Sequence, residues 1–365
     1  MKRFCVLLSA LYMTAMFTGC DLLNSLTGNV DGNGDPILPY VVVNGNITVN
    51  TTWVTGETYY LDRNISVDNN SVLTIQPGAI IKFNANCWLE VQTGSEIHAD
   101  GNTSNRIIFT SANDSSVGDV VASGTPATGY WAGVWVNATV GTRFKYCDFK
   151  YAGNDSWPSD GVLTLGTAGA IVDNCKFMYI KYYGLDAEDV TTPCLIKDNF
   201  FFKTYRPIMI STKLSIHQTN NNSFISNTQT AIFVSGIAGE ITASIVWGVT
   251  NAAFWILDDI SINETTGTLR ILNNAVIKGD PSMSITFYSA QSNLKVGTGV
   301  IFTERRDDTY LGDSNGDGSS TTPALGGWEG VWDASNSEYI LNVTQILYDD
   351  DHTGYGEGNY TFPAP

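Results

Sequence analysis

With 365 residues, a formal charge of −17 and a pI near 4.4, the chain lacks the basic surface that phosphate binding requires, which argues against nucleic acid as a partner. Charged residues make up only 15% of it and glycine is abundant, a balance that suits β-rich proteins outside the cytoplasm. Six cysteines, none spaced as CxxC, are too sparse for a disulfide scaffold and carry no zinc signature.

At the N-terminus, Lys2 and Arg3 precede an uncharged apolar run from Phe4 to Phe17, and Thr18 and Gly19 lead into Cys20. That order is the layout of a secretory signal peptide, and ~14 apolar residues are too few to cross a hydrocarbon core. Phe17-Thr-Gly-Cys20 resembles the lipobox of bacterial lipoproteins, with Phe where that family more often carries Leu. The resemblance implies that residues 1–19 are cleaved and that Cys20 is acylated, anchoring the chain to a membrane. An ordinary secretory signal with an incidental cysteine is the alternative. Residues 20–39 are rich in Asn, Gly, Asp and Pro and read as a flexible tether, with Asp31-Gly-Asn-Gly-Asp35 as spacer. Residues 40–365 show no compositional break and are expected to form one domain.

Along that domain helical stripes are nearly absent, while short alternating runs of β-branched and aromatic residues recur. Examples are Val72-Leu-Thr-Ile75, Ala79-Ile-Ile-Lys-Phe83, Cys87-Trp-Leu-Glu-Val91, Arg106-Ile-Ile-Phe-Thr110 and Ala231-Ile-Phe-Val234. Asp173-Asn-Cys-Lys-Phe177, Asp198-Asn-Phe-Phe-Phe202 and Asn220-Asn-Asn-Ser-Phe224 look like one motif repeated, with final Phe residues 25 and 22 positions apart (202−177, 224−202). A coil of that length holding two or three short strands predicts an all-β parallel β-helix whose equivalent residues stack in ladders. About a dozen coils would make a rod on the order of 55 Å. Cys147 and Cys175 fall at equivalent places in two coils and are expected to stack as buried thiols; a disulfide between them is the alternative.

Gly45 to Leu61, Asn64-Ile-Ser-Val67 and Leu73 to Phe83 closely resemble the N-terminal cap and first coils of bacterial surface proteins with right-handed parallel β-helices, the pectin-lyase-like group. The likeness continues through Ile107-Ile-Phe-Thr-Ser111 and Tyr130-Trp-Ala-Gly-Val-Trp135 and returns over 300–333. It implies the fold, with an N-terminal cap, and a cell-envelope location at the outer membrane or cell surface. It leaves activity open, because that fold hosts lyases, hydrolases, adhesins and structural rods.

The sharpest chemical signal is Asp313-Ser-Asn315-Gly-Asp317-Gly318, where alternating oxygen donors and a glycine suit a Ca²⁺ loop; Asp307 and Asp308 are added as further ligands. Ala324 stands where an EF-hand would place Glu, and a solvated acidic turn is the alternative. The loop belongs to a second internal repeat. Ile107 to Asp114 followed by Trp131-Ala-Gly-Val-Trp135 parallels Val300 to Asp307 followed by Trp328-Glu-Gly-Val-Trp332. The first copy keeps Asp114 and Asp119 but lacks the DxNxDG core. Asp349-Asp-Asp-His352 reads as a solvated end.

Among aromatics, Trp157, Tyr182 and Tyr183 are the candidates for stacking on a ligand, whereas strand alternation turns some rings of Trp131, Trp135, Trp328 and Trp332 inward. No nucleophile–base constellation surrounds His98, His217 or His352. The resemblance to pectate lyases implies calcium-binding aspartates and a catalytic arginine on one sheet. Arg206-Pro207 is a fragment of that arginine motif, with Asp186, Glu188 and Asp189 one coil earlier. The leading expectation is a lipid-anchored rod with a structural, adhesive or glycan-binding role, meeting polysaccharide or a host or surface protein. The alternative is a polysaccharide lyase or glycoside hydrolase on the same shaft.

Overall fold

A computed structural model describes residues 38–137, 141–154, 161–166, 168–192, 194–340, 345–350, 356–358 and 360–365. Cys20, the signal peptide and nearly all of the tether lie outside the described residues, as does Trp157.

Each coil of the first half climbs through three short strands. One turn contains Val72–Ile75, Ile80–Phe83 and Trp88–Val91, after which Glu96–Asp100 pairs in parallel beside Val72–Ile75, 24 residues on (96−72). Repetition makes an all-β parallel solenoid of about ten turns, so the expected fold class holds with slightly fewer coils. Many strands alternate, as in the pattern iBiB of Val72–Ile75, because successive side chains face the shaft and the outside in turn, whereas strands such as Ala231–Ser235 and Ala253–Ile256 are buried on both faces.

The repeat itself sits one residue away from where the motif spelling puts it. Phe177 pairs with Phe201, not Phe202, and Phe201 with Phe224. With Phe109 and Phe149 they form an internal stack whose centroids are 4.7, 5.2, 4.8 and 5.4 Å apart. A one-residue slip exchanges inside for outside, so Phe202 is half-buried on the outer surface. The coil corners set this register. Tyr146, Asn174, Asp198 and Asn221 all adopt positive φ before the strand, and Tyr151, Tyr179, Lys203 and Ser226 do so after it. Asp198 therefore aligns with Asn174 rather than Asp173.

Next to that stack, Cys147, Cys175, Asn199 and Asn222 occupy one inward ladder. The thiols are buried and unoxidised, donating to main-chain carbonyls such as Phe144 O, 3.4 Å from Cys175 Sγ. In the coils above, Asn199 Nδ2 reaches Val172 O at 2.9 Å and Asn222 Nδ2 reaches Ile196 O at 3.1 Å. Thiol and amide thus do the same work, supplying a donor to a buried carbonyl.

Two longer strands, Lys176–Ala187 and Phe200–Ser211, run around a corner and join two faces into one 16-stranded sheet. An outward ladder on it reads Ser66, Glu90, Trp135, Thr164, Asp186, Met209, Phe233, Trp255, Lys278 and Thr303. At the far end Gly330–Asp333 pairs antiparallel with Glu338–Ile340, and Tyr360 and Phe362 pack on Phe287, closing the apolar shaft.

Candidate functional site

The two related loops emerge from the shaft by the same construction. In the first copy, strand Ile80–Phe83 turns Lys82 outward beneath the loop, where the residue is fully buried. Its Nζ donates to Asp114 O at 2.8 Å and Asp119 O at 2.6 Å. The neighbouring ladder residue Thr110 donates to Asp114 Oδ2 at 2.8 Å, and Ser116 N to Asp114 Oδ1 at 3.1 Å. In the second copy Lys278 is equally buried and donates to Asp307 O at 2.8 Å and Gly312 O at 3.1 Å. Thr303 donates to Asp307 Oδ2 at 2.7 Å and Thr309 N to Asp307 Oδ1 at 3.0 Å. Both loops close on a buried tryptophan whose indole N–H reaches a carbonyl of the next coil, Trp131 to Lys150 O and Trp328 to Leu347 O.

A buried ammonium bound by inward-pointing carbonyls replaces the water shell of a cation with protein dipoles. Burial lowers the pKa of both lysines against the pull of nearby carboxylates, and for Lys278 it comes down to about 8 with Asp307, Asp308, Asp313 and Glu304 opposing. Burial likewise works against the Asp114 carboxylate, but hydrogen bonds from Ser116 and Thr110 hold its pKa below the usual value.

Asp307 therefore sits in the loop's root, 1% exposed, with both carboxylate oxygens engaged by its own turn and by Thr303. The other predicted carboxylates converge further out, where oxygens of Asp308, Asp313 and Asp317 lie within 4.8 Å of one another. Asp313 gathers the turn: Oδ1 accepts from Gly316 N and Asp317 N, and Oδ2 from Gly318 N. Asp317 accepts from Thr321, which heads the causes lowering its pKa. Asp308 Oδ1 is buried with no hydrogen-bond partner, whereas its Oδ2 accepts from Ser319. Asn315 donates its amide nitrogen to Asp317 Oδ2 at 3.0 Å, while its side-chain oxygen accepts from Asp317 N at 3.2 Å. An oxygen-only carboxylate set with one orphaned buried oxygen fits a hard divalent cation. Asp308, Asp313 and Asp317 would hold it, and Asn315 would join after rotating its amide.

This outer lobe folds back on the sheet. Gln229 Nε2 donates to Asn315 O at 2.9 Å, and a cleft of about 210 Å³ lies between Asn315, Asp317 and Thr321 on one side and Gln229, Trp255 and Arg306 on the other. Beneath it, Tyr183, Met209, Ala231, Phe233 and Trp255 form a second apolar cluster outside the shaft. Tyr183 is thus 5% exposed and not a stacking platform; burial raises its pKa to about 12 although Arg206 works the other way. Tyr182 remains half-buried, beneath the Lys181 ammonium. Arg206 donates from Nε to Gln229 Oε1 and from NH1 to Tyr183 Oη, both at 2.6 Å, and lies 4.8 Å over the Phe233 ring. Asp186 is buried, with Oδ1 accepting from Glu188 N.

Lys82 and Lys278 are the residues that motif reading passed over. Their signal was present: each follows a β-branched or aliphatic run and precedes its Thr partner by one coil, 28 and 25 residues (110−82, 303−278). The remaining predicted pieces are structural. Trp131 and Trp328 are fully buried, and Asp349 pairs its main chain with Trp328.

Residues 45–164 match the family described as the pectate-lyase like beta helix domain. No curated protein and no solved structure gives a significant match. Among the described residues no helix is long and apolar enough to cross a membrane.

Proposed function

We propose that the chain is a non-catalytic envelope protein, a β-helix rod held at the outer membrane or cell surface by lipid on Cys20 and serving adhesion or glycan recognition. Calcium at Asp308, Asp313 and Asp317, with Asn315, stabilises the outer lobe of the second loop in this reading. The fold carries the coarse part, being compatible with carbohydrate-related and surface roles. The observation that carries the choice of a binder over a lyase is the state of Arg206. A catalytic base must present a nitrogen to substrate, and this guanidinium is tied to Gln229 and Tyr183 and stacked on Phe233. Asp186, one coil earlier, is buried on the outward ladder beside Met209 of the same cluster.

Incubating the protein with acidic and neutral polysaccharides, with and without calcium, is expected to yield no new reducing ends or unsaturated products. Calcium-dependent depolymerisation would contradict the reading. Mass spectrometry of the mature N-terminus is expected to find an acylated Cys20; an unmodified cysteine there would remove the anchor.

A further inference from the structure

The DxNxDG turn contains an Asn-Gly dipeptide, Asn315-Gly316, and the fold requires glycine after the asparagine. Gly316 has a φ of 74°, and a Cβ there would lie 2.3 Å from Thr228 O, where the lobe closes on the sheet. With no side chain to shield it, the Gly316 nitrogen is the backbone group covalently placed to close a ring on the Asn315 amide carbon.

Hydrogen bonds act on each part of that ring closure. On the nucleophile, Asp313 Oδ1 accepts from Gly316 N at 2.7 Å, and Gln229 Nε2 donates at 2.9 Å to Asn315 O, the carbonyl of the same peptide unit. A carboxylate on the N–H and a donor on the C=O both favour loss of the peptide proton. On the electrophile, Asp317 N donates to Asn315 Oδ1 at 3.2 Å, where negative charge gathers when the side-chain amide carbon becomes tetrahedral. On the leaving group, Asn315 Nδ2 faces Asp317 Oδ2 at 3.0 Å and the Thr321 hydroxyl at 3.4 Å. Gly316 is exposed and Asn315 half-buried, so water reaches the ring. Asn44-Gly45 repeats the dipeptide at the exposed start of the shaft, where among the described residues no carboxylate accepts from the glycine nitrogen.

From these contacts we infer that Asn315-Gly316 is a self-modifying site, at which the folded lobe promotes deamidation of Asn315 through a cyclic imide. Asp313 takes the Gly316 N–H proton as that nitrogen bonds to Asn315 Cγ, and the Asp317 N–H holds the resulting oxyanion. The Cγ–Nδ2 bond then breaks, and the departing nitrogen takes up the proton and leaves as ammonia. A water molecule opens the imide at either carbonyl, giving aspartate or isoaspartate at 315. The net change converts an amide and water to a carboxylate and ammonium, with no change of oxidation state. The product adds a carboxylate to the loop of Asp313 and Asp317. The reaction needs no metal, and only the effect of the added charge on a bound cation rests on the calcium reading above.

Peptide mapping by mass spectrometry of the intact protein, incubated in calcium-free buffer near neutral pH, tests the inference. Conversion at Asn315 is compared with that in the same chain unfolded in guanidinium chloride, with Asn315→Asp as the standard for the aspartate product. It is expected to be faster in the folded protein, with a folded-to-unfolded ratio above that at Asn44. Asp313→Ala should slow the folded protein at least about tenfold, inside the range a positioned proton acceptor contributes, and leave the unfolded rate unchanged. Asp313→Asn, which keeps an accepting oxygen at the turn without the charge, should be slowed as well. A folded rate at or below the unfolded rate overturns the inference, as does undiminished conversion in either Asp313 variant. Both of those results leave calcium binding by the unconverted loop standing, because the assay contains no calcium.

Discussion

The loops at 112–130 and 305–327 start from the same root and end differently. Each is pinned by a lysine ammonium under two loop carbonyls, by a Thr–Asp bond four residues long in sequence, and by a closing tryptophan. The differences are local. Phe83 stacks on Trp131 at 4.0 Å in the first copy, whereas Trp328 rests on Gly279, where a Cβ would come within 2.7 Å of the indole. Ser111 of the first copy becomes the buried Glu304 of the second, which pairs with Arg306 and accepts from Ala324 N. Only the second copy then projects an acidic lobe. The lysine therefore organises the root, and Asp313 beyond it gathers the turn of the tip. Trp135 and Lys278 lie on one outward ladder, so the two copies are offset by one face of the shaft.

Removing the closing indoles should have the largest effect. Trp131→Ala and Trp328→Ala are each expected to destabilise the rod by about 4 kcal/mol in denaturant unfolding, as buried aromatic truncations do. An effect under about 1 kcal/mol at either site would mean that the loop root is not part of the cooperative fold.

Lysine removal comes next. Lys82→Met and Lys278→Met leave two buried carbonyls without donors, while relieving the cost of a buried charge, for a net loss of about 2 kcal/mol. Equal losses at both positions would support a shared root; a loss at one alone would break the equivalence.

Alkaline pH separates the copies more gently. The folded pKa of Lys278 is about 8 against an ordinary 10.5, so between these values the unfolded chain holds the extra proton. Stability then rises with pH across that window, and the rise should be smaller in Lys278→Met, where the lowered pKa of Lys82 still contributes. Above about pH 10 the half-buried Tyr60 and the buried Tyr183, both raised to about 12, work in the opposite sense, because the unfolded chain loses those protons first. A wild-type slope identical to that of Lys278→Met from pH 8 to 10 would contradict the buried-ammonium assignment.

Much of this was legible in the chain. Strand alternation and the 22–25-residue rhythm sufficed for a parallel β-helix, and the Trp-x-Gly-Val-Trp repeat located both loops. The coil register was not, because Asp173-Asn and Asp198-Asn look equivalent in spelling while corner φ values align Asn174 with Asp198. Tyr183 and Tyr182 were indistinguishable as neighbours, yet a strand turns them to opposite sides and only Tyr183 enters the cluster under the second loop. Asp307 and Asp308 were likewise grouped by adjacency, and the lysine one coil below divides them. Such pairings run between residues about 25 positions apart, where a single sequence offers no local pattern.

The central claim is that the tip of the second loop, and not its root or the first loop, is the cation site. Calorimetric titration of calcium into wild type, Asp313→Ala/Asp317→Ala and Asp114→Ala tests it most directly. One binding event should appear in wild type, persist in Asp114→Ala and vanish in the double variant. Binding that survives the double variant, or that is absent from wild type, would contradict the account.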